Sequence, residues 1–135
     1  MKSRTDLVRG WIRKAESDLD NVKMCLASSA ALDTACFHAQ QSAEKYLKAY
    51  MTAHDIEYPF VHNLEKLISL CAAHDPGFVA IQSLGADLTP YAVELRYDDE
   101  FWPDIATVRR AHDGALAIKE FVVKRLPAEV TGNLG

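Results

Sequence analysis

Apolar residues recur at steps of three and four along almost the whole chain, the spacing that gathers side chains on one face of a helix with about 3.6 residues per turn. The clearest case is DTACFHAQQSAEKYLKAYMTAHD, residues 33–55, which holds neither Gly nor Pro. Cys36, Ala39, Ala43, Leu47 and Tyr50 form its apolar stripe. Beside them Ala35, Ser42 and Ala49, seven apart, would let a second helix approach closely. The pattern predicts the central helix of a bundle, with Asp33 as its cap.

The same spacing predicts four further helices. One covers 5–29, capped by Ser3 or Thr5, with Val8, Trp11, Ala15, Leu19, Val22 and Leu26 on its stripe. Gly10 in that run implies a frayed first turn or a close contact beside Trp11. The short connection to Asp33 makes these two helices antiparallel neighbours. Pro59 stops the central helix and makes its surroundings a loop.

A shorter helix over 63–74, started by His62 or Asn63, follows with Leu64, Leu67, Ile68 and Cys71 inward. A helix over 77–96 carries Phe78, Ile81, Leu84, Leu88, Tyr91 and Leu95. It should bend or split between Gly85 and Pro90, where Thr89 can cap the second half. The last covers 103–126, with Pro103 in its first turn and Ile105, Val108, Ala115, Ile118, Val122 and Leu126 inward. No stretch alternates with the period of a strand. The fold class is therefore all-α, an up-and-down antiparallel bundle of four main helices plus one short helix. It is expected as one domain over 1–126 with a loosely ordered tail at 127–135, and with Trp11, Leu19, Ala39, Leu47, Leu67, Leu84 and Ile118 in one core.

A formal charge of −4 argues against a general nucleic-acid or membrane binder, though local basic patches remain compatible with it. No apolar run approaches a membrane span and MKSRTDLVRG has no apolar signal core, so the expectation is a cytoplasmic protein without a membrane partner. Cys25, Cys36 and Cys71 are odd in number and lack CxxC spacing, which predicts buried reduced thiols. His54, His74 and His112 are each followed by Asp but show no metal-ligand spacing, and no glycine-rich phosphate loop is present. Neither a metal nor a cofactor is expected.

The central helix presents His38, Gln41, Glu44, Lys45 and Lys48 opposite its apolar stripe, interrupted by Phe37. Glu44 and Lys48 form an i,i+4 pair in the favourable order, worth a few tenths of a kcal/mol on an open surface. Two readings follow. The arc is a salt-bridged solvent face, or Phe37 with Gln41, Glu44 and Lys48 marks a face covered by another helix or a second subunit.

In order along the chain, WIRKAESDLDNVKMCL, FHAQQSAEKYLKAYM, HNLEKLISL and LTPYAVELRYDD, followed by a closing helix rich in Ala and Ile, resemble the HEPN domain (higher eukaryotes and prokaryotes nucleotide-binding). The most specific parts are QQSAEKYLKA, the pair His62 and Leu64, and the pair Arg96 and Tyr97. The resemblance implies a bundle of the kind the stripes indicate, a homodimer, and partnership with a small nucleotidyltransferase, often in toxin–antitoxin pairs. It also implies a nucleotide or RNA ligand.

In the ribonuclease branch of that family an Arg is separated from a following His by four to six residues. Counted from Arg96, those positions hold Phe101, Trp102 and Pro103, none able to carry a proton. Asp98, Asp99 and Glu100 read as solvated or helix-terminal charge. The expected function is therefore a binding module without catalysis, with Arg96, Tyr97, Lys45, Lys48, Gln41, Glu44 and His62 as candidate ligand-binding residues. The alternative is a metal-independent ribonuclease toxin with an atypical site around Arg96, completed by an acid or by a distant histidine such as His38 or His62.

Overall fold

Small side chains set the closest helix pair. In the computed structural model, which describes residues 1–132, α1 (Arg4–Ser28) packs antiparallel against α2 (Leu32–Ala53), and Ala35, Ser42 and Ala49 are all buried. Ser3 starts α1 as a capping box: its hydroxyl accepts from Asp6 N and the Asp6 carboxylate accepts from Ser3 N, each at 3.1 Å. Gly10 lies well inside α1, and a Cβ there would meet nothing within 4 Å, so no close contact explains it.

Ser29 and Ala31 both take positive φ, 53° each, and this tight reversal brings α2 in earlier than expected. Its cap position is Ala31, and Asp33 lies in the first turn, where its charge complements the helix dipole without capping it. Helix α3 (Leu64–His74) is capped by Asn63, whose side chain accepts from Lys66 N at 3.0 Å.

The fourth helical segment is split. A 3₁₀ turn (Pro76–Ile81), α4 (Gln82–Leu88) and a second 3₁₀ turn (Thr89–Tyr91) succeed one another, and turns continue through Tyr97. Pro90 lacks the N–H that a continuous helix needs. Thr89 caps a different helix from the one expected: its hydroxyl accepts from Leu64 N at the start of α3, at 3.0 Å, and donates to Gly85 O at 2.9 Å. Gly85 lets α4 close on α3, since a Cβ there would stand 2.5 Å from the Ile68 Cδ1.

Helix α5 (Ile105–Val123) is capped by Asp104, which accepts from Thr107 N at 2.8 Å and leaves Pro103 outside the helix. Ala128–Thr131 make one further turn, α6, with Val130 buried and the Arg9 guanidinium donating to Glu129 O. The rest of the expected tail, 133–135, lies outside the described residues. The described chain is all-helical, as the stripes require. Leu19, Ala39, Leu47, Leu67 and Ile118 are fully buried in one core, whereas Trp11 and Leu84 pack half-buried at its edge. All three cysteines are buried free thiols, and burial pushes Cys36 and Cys71 up to about 12. Among the described residues no helix is long and apolar enough to cross a membrane.

Candidate functional site

Phe37, Gln41, Glu44 and Lys48 follow one another at helical spacing along α2, and other segments cover this line over most of its length. At its start the Arg96 guanidinium lies over the Phe37 ring, 4.2 Å from the centroid, and 5.2 Å from that of Tyr97. Arg96 and Tyr97 are exposed. Among the described residues no ion pair includes Arg96, and its one side-chain hydrogen bond is to the Tyr97 hydroxyl at 3.4 Å. The neighbouring acids do not neutralise it. Asp98 accepts from Glu100 N at 2.9 Å, and the Trp102 indole donates to Asp99 O at 3.0 Å, which fixes the turn after Arg96.

In the middle of the line Glu44 is 3% exposed. Its carboxylate accepts from Lys48 at 3.0 Å, from His62 Nδ1 at 2.9 Å and from Gln40 at 3.4 Å. Gln40 also donates to His62 O at 2.8 Å and accepts from Gln41 at 2.8 Å. A carboxylate removed from water needs such partners, and three donors meet the need. Lys48 is enclosed in turn. Its ammonium lies 5.4 Å from the Trp11 ring centroid and 5.6 Å from that of Tyr58, and its side chain is 12% exposed. Glu44 and Lys48 are thus a tie between α2 and the loop before α3. His62, by contrast, is half exposed and lines a shallow groove of about 410 Å³ together with Val93 and Glu94, just before Arg96.

Lys45 belongs to another cluster. Asp18 of α1, 7% exposed, accepts from Lys45 at 2.7 Å and from His38 Nδ1 at 2.8 Å. His38 packs edge-on against Phe37, ring centroids 5.3 Å apart, so Phe37 has Arg96 on one contact and an Asp-held histidine on another. A third polar contact ties the core together: Tyr46 donates to Glu16, which also pairs with Lys119 at 2.7 Å. Burial first, and then the ionised Glu16, hold the Tyr46 phenol far above its ordinary range.

Of the seven candidates, then, the structure joins Gln41, Glu44, Lys48 and His62 through one hydrogen-bonded chain, keeps Arg96 with Tyr97 on Phe37, and assigns Lys45 to Asp18. Asp18 and Gln40 were missed, although each left a signal. Asp18 interrupts the stripe between Ala15 and Val22, and Gln40 stands at stripe spacing between Cys36 and Ala43. No group of three or more His, Cys, Asp or Glu side chains able to hold a metal occurs among the described residues.

These features define a helical bundle in which Arg96, exposed and outside any ion pair among the described residues, stacks on the Phe37 ring of the central helix. The sequence profile of the HEPN domain matches residues 8–126, and the chain belongs to that family. A solved structure described as an archaeal HEPN homologue superposes with a TM-score of 0.73 at 24% identity, over 94% of this chain and 100% of that one. It shares the fold. A comparison with curated proteins finds no match.

Proposed function

We propose that the chain is a HEPN binding module without catalysis, a homodimeric subunit that uses the Arg96 face to hold a nucleotide or nucleic-acid phosphate, or to dock a small nucleotidyltransferase partner. The observation that carries this reading is the free guanidinium on Phe37. A structural arginine would be closed by a carboxylate, whereas this one is oriented by an aromatic ring and keeps its planar fork free for an oxyanion. The half-exposed His62 and the groove beside it extend the same face. The indole of Trp102 and the Tyr97 ring, both exposed, favour a protein contact nearby.

A second reading draws on His38. The Asp18 carboxylate fixes its Nδ1, which leaves Nε2 as a proton carrier beside the Phe37 ring that Arg96 also contacts. That supports a ribonuclease with a relocated histidine.

Isothermal titration with a nucleoside triphosphate tests the first reading. Arg96→Lys keeps the charge and loses the fork, so affinity should fall by about tenfold with the melting temperature unchanged. A lowered melting temperature with unaltered binding would make Arg96 a structural residue.

A further inference from the structure

Between α4 and α5 lies a cleft of about 530 Å³, inside the range of about 300 to 1,000 Å³ usual for small-molecule sites. Its floor is apolar, made by the buried Leu88 and Ala111. One wall is the Tyr91 ring, braced by Phe101 with ring centroids 5.7 Å apart. Burial pushes the Tyr91 phenol up, so it stays neutral at ordinary pH.

Asp87 of α4 and Arg110 and Asp113 of α5 also line the cleft, and all three are exposed. Among the described residues none of them enters an ion pair, and the Arg110 guanidinium donates only to the Thr107 hydroxyl, at 3.2 Å. Two unpaired carboxylates against one guanidinium leave a net negative rim over an apolar floor.

Gly114 of α5 also lines the cleft. Glycine is a poor residue for the middle of a helix, and packing does not demand it here, since a Cβ would meet nothing nearer than a Leu88 methyl at 3.9 Å. What a side chain at 114 would do is narrow the cleft it lines.

We propose that this cleft binds a small organic monocation, an ammonium carried on a flat apolar body, with the ring against Tyr91 over Leu88 and the nitrogen drawn to Asp87 and Asp113. The apolar body displaces water from the floor, and the carboxylates select the sign of charge. Arg110 opposes a second positive group, which disfavours polyamines. The cleft shares no lining residue with the Arg96 face and does not depend on the function proposed for it.

Tryptamine and indole-propionate, similar in shape and opposite in charge, are the probes. Titrated into the full chain and followed by amide NMR, tryptamine should shift signals of residues 84–91 and 110–114, and indole-propionate should bind at least about tenfold more weakly. Replacing both acids, Asp87→Asn with Asp113→Asn, should abolish the preference. Gly114→Ala should weaken tryptamine while keeping or raising the melting temperature, which separates a narrowed cleft from a damaged fold. Arg96→Lys should leave tryptamine binding as it is. Equal affinity for the two probes, shifts confined to other residues, or no response to millimolar tryptamine would overturn the proposal.

Discussion

The guanidinium of Arg96 rests on the ring of Phe37, 4.2 Å from its centroid, although the two residues belong to segments far apart in the chain. A cation over an aromatic face at an exposed site is worth about 0.5–1 kcal/mol, enough to choose one orientation for a long side chain. Phe37→Leu should therefore weaken nucleotide binding about two- to fivefold, measured by titration calorimetry. Unchanged affinity would show that the ring does not position the arginine.

Glu44 is predicted to matter for folding more than for ligands. Its removal leaves Lys48 enclosed by Trp11 and Tyr58 without a counter-charge, and breaking one partner of a buried pair costs about 3–5 kcal/mol. Urea denaturation of Glu44→Ala should show a loss of that order. A loss under about 0.5 kcal/mol, usual for surface sites, would mean that the carboxylate is dispensable.

The protein should lose stability as pH falls through the histidine range. His54 and His112 bind a proton less readily in the fold than in the unfolded chain: burial acts first on both, and the neighbouring His74 adds repulsion at His54. Nε2 of each ring is buried without a partner among the described residues, so a proton there would lack an acceptor. Below the ordinary value of 6.5 the unfolded chain holds more protons, and stability rises with pH up to that value. His54→Phe with His112→Leu should flatten the dependence of the urea midpoint between about pH 5 and 6.5. An unaltered slope would place the effect elsewhere.

Much of this architecture was legible beforehand, for a physical reason. Stripes such as Cys36, Ala39, Ala43, Leu47 and Tyr50 report burial directly, and burial decides helix packing. Trp11, Leu84 and Gly10 aside, the misplaced features depend on which donor meets which acceptor across the fold. Thr89 has the chemistry of a cap, but only the approach of α4 to α3, permitted by Gly85, shows that Leu64 N is the group it caps. The candidate site divides in the same way. The polar arc of α2 was visible, yet nothing in Lys45 or Lys48 alone tells that one is neutralised by Asp18 and the other enclosed by two aromatic rings. The four aromatic residues that flank Arg96 in sequence, Tyr91, Tyr97, Phe101 and Trp102, divide as well. Tyr91 and Phe101 stack on each other, and only Tyr97 and Trp102 remain exposed.

Those two exposed rings, with Val93 also exposed, are the local support for a homodimer. Light scattering at micromolar concentration should give twice the 15.0 kDa of one chain, and Trp102→Asp with Tyr97→Asp should shift the mass towards the single-chain value. A single-chain mass for the unaltered protein across the accessible concentrations would remove the dimer.

The claim that Arg96 binds phosphate without cleaving is tested most directly by incubating a labelled single-stranded RNA with the purified protein, reading binding by fluorescence anisotropy and strand integrity on a denaturing gel. With Phe101, Trp102 and Pro103 where a proton-carrying histidine would stand, a missing acid–base group costs about 10² to 10⁴ in rate. The expected result is RNA that is bound and intact, with binding lost in Arg96→Ala at an unchanged melting temperature. Cleavage by the unaltered protein, abolished in a folded Arg96→Ala and in His38→Ala, would contradict the account and make the chain a ribonuclease.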